Sequence, residues 1–157
     1  AAWIVARLRA DPGARLAVLM ASSLEMVELM FGAGKAGVSV VPLNVSVSDA
    51  AVAAMLVDSG ATAIAASGEH CARIDAILGA RAAAGPGAGI LPRLGVDAPA
   101  GSGWLELQAW RDAQPATAPA VQVAARDECN IIYSSGTTGL PKGIVHTHGC
   151  RLNWATD

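Results

Sequence analysis

The chain has 157 residues, 53% of them hydrophobic and 15% charged, with a formal net charge of −2. A chain of this length buries roughly 70% of the surface its unfolded form exposes, so one real core is expected and disorder is excluded. The negative sign, with no block of like charge, argues against a nucleic-acid-binding surface.

Residues 1–10 read as a helix with Trp3, Ile4 and Leu8 on one face, not as a secretory leader, and Asp11-Pro12-Gly13 is a turn signal. Leu16–Met20 follows as a short apolar strand. Ser22 and Glu25 have capping-box spacing for a helix. Along that helix Glu25, Glu28, Gly32 and Lys35 form a polar stripe, Leu24, Val27, Met30 and Phe31 are expected to form the apolar side, and Gly37 ends it. Val38–Pro42 is a second strand. Ser48 caps a helix whose Val52, Met55 and Leu56 share a face, and Gly60 ends that helix. Thr62–Ala66 is a third strand, and Ile74, Ile77 and Leu78 mark a helix over about 70–83.

The stretch 85–119 reads as a loop-rich connector, with a strand within Ile90–Val96 and a short helix over Trp104–Ala113. Order resumes at Asn130–Tyr133. Strands alternating with helices of this length predict an α/β fold, with a largely parallel sheet flanked by helices.

Three well-separated cysteines, Cys71, Cys129 and Cys150, form no CxxC pair; they fit a reducing, cytoplasmic setting and argue against a disulfide framework. Cys71 and Cys129 read as packed thiols. No apolar run reaches the ~18 residues of a membrane span. His146, His148 and Cys150 alternate, so on a strand they would share a face. They lack a fourth ligand or a zinc spacing, so no metal site is assigned. The four tryptophans, Trp3, Trp104, Trp110 and Trp154, are scattered and read as core or cap residues, and Lys35 as solvated.

One segment carries chemistry. Ile131–Tyr133 runs into Ser134-Ser135-Gly136-Thr137-Thr138-Gly139-Leu140-Pro141-Lys142-Gly143 and then into a second β-prone run ending at His146-Thr147-His148. Four hydroxyls within the five residues 134–138, beside glycines that admit close backbone approach, supply donors for an anion. Lys142 adds a compact positive charge, and the combination suits a polyphosphate. It is not a Walker A loop: two residues separate Gly136 from Gly139, and Gly143 follows the lysine where that motif needs Ser or Thr.

The run Tyr133–Gly143 is similar to the phosphate-binding signature of the adenylate-forming superfamily, which includes acyl-CoA synthetases and peptide-synthetase adenylation domains. Ala36–Asn44, Asp58-Ser59-Gly60-Ala61 and Asp11–Met20 resemble segments that precede that signature in the family, in the same order. The resemblance implies activation of a carboxylic acid with Mg-ATP, giving an acyl-adenylate and pyrophosphate, then transfer to a thiol such as CoA. It implies that Ser134, Ser135, Gly136, Thr137, Thr138, Gly139 and Lys142 contact phosphate. His148 stands where the family often has a histidine.

The family's adenine-binding segments, magnesium-binding glutamate, acyl pocket and C-terminal lysine lie downstream of the matched region. No catalytic or metal-binding residue is therefore assigned within residues 1–157. The chain is expected to be an incomplete N-terminal AMP-binding domain, inactive alone, with ATP, Mg2+ and CoA as cofactors of the larger enzyme. Pro42-Leu43-Asn44 and His146-Thr147-His148 favour an acyl-CoA synthetase. The alternatives are a fragment of a peptide-synthetase adenylation domain and a non-catalytic phosphate-binding remnant.

Overall fold

The computed structural model describes residues 13–83, 92–117, 120–134 and 141–156. Within them, helices α1 (Leu24–Lys35), α2 (Asp49–Asp58), α3 (Gly68–Ala83), α4 (Leu107–Asp112) and α5 (His148–Thr156) flank a sheet. Its strands are β1 (Arg15–Leu19), β2 (Ser39–Pro42), β3 (Ala63–Ser67), β4 (Arg93–Val96), β5 (Leu105–Glu106), β6 (Glu128–Ser134) and β7 (Lys142–Thr147). The described strands lie in the order β5-β4-β3-β1-β2-β6-β7. All neighbours pair in parallel except β6 and β7, which form an antiparallel hairpin. The expected largely parallel α/β fold is the observed one.

The strands are short and apolar because both faces of the central sheet are covered. On one face Leu16, Val18, Val40, Ala63 and Ala65 pack with Leu29 and Ala33 of α1. On the other, Ala17, Leu19, Val41 and Ile64 pack with Val52, Met55 and Leu56 of α2 and with Cys71, Ile74 and Ile77 of α3. The alternation along β1 is the two-residue period of a strand.

Helix α1 departs from the sequence reading in two ways. Its cap is Ser23, not Ser22: the Ser23 hydroxyl accepts from the Met26 amide. The stripe of large side chains does not face the core either. Leu24 is 79% exposed and Phe31 70%, whereas Leu29 and Ala33 are buried. Small residues at Ala33 and Ala36 let this helix lie close to the sheet, and that seam overrides the bulkier apolar stripe.

The helix stops as the sequence predicts. Gly37 takes φ +70°, and the amides of Gly37 and Val38 donate back to the carbonyls of Gly34 and Ala33, a Schellman reversal that aims the chain into β2. In α2, Ser48 caps through the Ala51 amide, and the predicted face of Val52, Met55 and Leu56 is buried.

Within 85–119 the structure places β4, β5 and α4. The strand expected over Ile90–Val96 is seen from Arg93 onward, and Ile90 lies outside the described residues. The helix expected from Trp104 begins only at Leu107, because Leu105 and Glu106 pair with β4 as β5. The Glu106 carboxylate then caps that helix through the Ala109 amide. Of the tryptophans, Trp104 is buried, and its indole N–H donates to Asp75, whereas Trp154 is 61% exposed and so is not a core residue. Trp3 lies outside the described residues. No described helix is long and apolar enough to cross a membrane.

Candidate phosphate-loop stem and its surroundings

Strand β6 enters the sheet beside β2, meeting it at Val40↔Asn130. Because β6 is parallel to β2, its carboxyl end points to the same edge of the sheet as the carboxyl ends of β1–β4. In open α/β sheets that edge is where ligands bind. The chain leaves β6 at Ser134 and returns at Lys142, and these two residues are directly opposite each other in the hairpin register. Cross-strand partners share a face, with Cβ atoms about 5 Å apart. Both residues are solvent-exposed, so the two side chains leave the backbone side by side at the mouth of the hairpin. Ser135, Gly136, Thr137, Thr138 and Gly139 lie outside the described residues.

The stem is tied to the rest of the fold at both ends of β6. At its start the Arg15 guanidinium binds Glu128 with two contacts, Nη2···Oε1 2.6 Å and Nε···Oε2 3.0 Å. A third bond, Nη1 to the Ser59 carbonyl at 2.7 Å, joins the end of α2 to the same group. The hydrogen bond to Glu128 raises the Arg15 pKa further above its ordinary value. Near the other end the Tyr133 hydroxyl donates to Asp58 Oδ2 at 2.6 Å. Burial first, and then that bond, push the phenol pKa well above its ordinary value.

The neighbouring loop after β2 is also held. The Asn44 side chain accepts from the Ser46 amide, and Arg73 of α3 donates to the carbonyls of Val45 and Val47 and pairs with Asp49. None of these long-range ties through Arg15, Tyr133 and Arg73 is visible in local periodicity, and the sequence reading missed them.

The histidine and cysteine positions diverge. Strand β7 ends at Thr147 and α5 starts at His148, so His146, His148 and Cys150 do not share a strand face. His146 stacks edge-on against Trp154, with ring centroids 5.1 Å apart. Arg151 reaches back to the buried Asn130 side chain at 3.3 Å. No group of three or more possible metal ligands occurs among the described residues. Cys71 is buried, as expected of a packed thiol, whereas Cys129 is only partly buried and lines the groove described below; burial raises the thiol pKa of both.

A groove of about 750 Å³ runs between α1 and α5, with Phe31, Val121 and Val123 as apolar lining and Lys35, His148 and Arg151 at its polar side. Lys35 is exposed, as the sequence predicts.

Comparison with known proteins identifies the family and the fold. A family model described as AMP-binding enzyme matches residues 1–156. The chain is 37% identical over 148 residues to the long-chain-fatty-acid–CoA ligase FadD13 of Mycobacterium tuberculosis, covering 92% of this chain and 27% of that protein. It is 36% identical over 143 residues to a feruloyl-CoA synthase of an Amycolatopsis species, covering 91% of this chain and 25% of that one. Among solved structures, the anthranilate CoA ligase AuaEII in complex with anthranoyl-AMP superposes with a TM-score of 0.80 at 30% identity, covering 92% of this chain and 27% of that one. The chain thus spans about a quarter of the length of these relatives, in their N-terminal part. It belongs to the AMP-binding enzyme family of adenylate-forming enzymes.

Proposed function

We propose that the chain is the N-terminal part of a cytoplasmic, ATP-dependent carboxylate:CoA ligase, and that the loop closed by Ser134 and Lys142 binds the β- and γ-phosphates of ATP. The observation that carries this reading is the pairing of Ser134 with Lys142 across the mouth of the hairpin, at the carboxyl edge of the sheet. Residues 135–139 then supply hydroxyls and glycine backbone between those two anchors. In the reaction a carboxylate oxygen attacks the α-phosphorus and the bond to the β-phosphate oxygen breaks, so negative charge develops on departing pyrophosphate. Donors fixed around that charge stabilise the transition state more than bound ATP. The thiol of CoA then attacks the acyl carbon and AMP leaves.

Magnesium, bound by residues beyond this segment, would neutralise phosphate charge. Within this chain the work is binding and orientation: Lys142 supplies charge, Ser134–Thr138 hydrogen bonds, and the glycines close approach. The relatives' names cover long-chain fatty acyl, feruloyl and anthranilate substrates, so the test spans aliphatic and aromatic acids. The intact gene product should catalyse ATP–pyrophosphate exchange only when a carboxylic acid is present. It should then form the thioester when CoA is added. Nucleotide binding without acid-dependent exchange would replace this reading with that of a phosphate-binding remnant.

A further inference from the structure

We propose that Tyr133 is a positioning residue for the phosphate loop, holding its stem through a bond to Asp58 and through a ring seated on the bare backbone of Gly143. The inference rests on the phosphate-loop reading above. Tyr133 immediately precedes Ser134 and shares a strand face with Ile131, the face that packs on α2 and α3. Its hydroxyl donates to Asp58 Oδ2 at 2.6 Å, with the Met55 carbonyl 3.3 Å away. The residue opposite Tyr133 in the hairpin is Gly143.

A Cβ at position 143 would stand 3.1 Å from Tyr133 Cζ, 3.2 Å from its Cε1 and 3.1 Å from Ile131 Cγ2. Any side chain there would push the ring outward by tenths of an ångström and draw the hydroxyl off Asp58. Gly143 is thus the seat that lets the ring reach its partner.

The far anchor is firm as well. Asp58 ends α2 beside Ser59, whose carbonyl is bound by Arg15, and Arg15 also grips Glu128 at the start of β6. Strand β6 is therefore strapped at two points to one helix end. Displacements of about 1 Å in a group that must meet a transition state cost up to ~10²-fold in rate.

The test uses the intact gene product in acid-dependent ATP–pyrophosphate exchange. Tyr133→Phe and Asp58→Ala should each raise KM for ATP about three- to tenfold, the size expected from losing a hydrogen bond to a charged group that is partly solvated. KM for the acid should stay within about twofold. Asp58→Asn, whose amide oxygen still accepts from the phenol, should recover most of what Asp58→Ala loses, and Gly143→Val should act in the same direction as Tyr133→Phe. A fall in melting temperature with both KM values unmoved, or a parallel rise of both, overturns the proposal. Lys142→Ala separates the two readings. If it leaves KM for ATP unchanged, the phosphate loop itself is misassigned; if it raises KM and Tyr133→Phe does not, the strap alone fails.

Discussion

The parallel strands and the hairpin end of the sheet are built on different terms. Around β1, β2 and β3 both faces are covered, and Leu16, Val18, Val41 and Ile64 are wholly buried. At β7 the strand is open: Ile144 and Val145 are each 50% exposed, and α5 has no buried residue. The buried strands fix the geometry. The hairpin presents Ser134 and Lys142 and is held by Ile131 in the core together with two polar straps, Arg15–Glu128 and Tyr133–Asp58. Stability and candidate chemistry therefore occupy different parts of one sheet, which makes each separately testable.

The largest effect should come from the covered part. Leu56 of α2 is 1% exposed, and Leu56→Ala should cost about 2–5 kcal/mol in a urea unfolding titration. A loss below ~1 kcal/mol would mean that the α2 face is not the packed core described here. The cap of the same helix is a smaller term: Ser48→Ala should cost about 1 kcal/mol, read in the same titration. On the hairpin, Val145→Thr should change stability by no more than about 0.5 kcal/mol. A larger loss would show that β7 is covered by something else in the protein.

The smallest signal is spectroscopic. Tyr133 is the single tyrosine of these 157 residues, and the difference in tyrosinate absorbance between the parent protein and Tyr133→Phe reports its ionisation. The phenol should ionise above its ordinary pH, and Asp58→Ala should bring it closer to that value. Because the folded pKa is raised, the stability it contributes is complete below the unfolded phenol value and lost as pH climbs above it. Tyr133→Phe should flatten that alkaline decline.

Local rules carried much of this structure. Two-residue and 3.6-residue periods placed β1–β3 and α1–α3 within one or two residues of where they lie, and Gly37 and Gly60 terminate their helices with positive φ as predicted. The failure in α1 is instructive: large apolar side chains dominate a periodicity argument, but Ala33 and Ala36 allow the closer approach to the sheet. The strand at Leu105–Glu106 was hidden because two residues carry no period, and only the pairing with β4 makes them a strand. At the candidate site the motif named the residues. It left unsaid that Ser134 and Lys142 face each other across a hairpin, because cross-strand register is fixed by the turn and loop length and not by which residues the motif contains. The straps from Arg15 and Tyr133 are longer-range still, spanning 113 and 75 residues of sequence.

The central claim is that the mouth of this hairpin binds the phosphates of ATP. The most direct measurement is kcat/KM for ATP in acid-dependent pyrophosphate exchange by the intact gene product, compared with Lys142→Ala. The account predicts a fall of about tenfold or more, carried in both KM and kcat because the lysine faces charge that grows as pyrophosphate departs. An unchanged kcat/KM for ATP, in a variant that folds and melts like the parent, would contradict it.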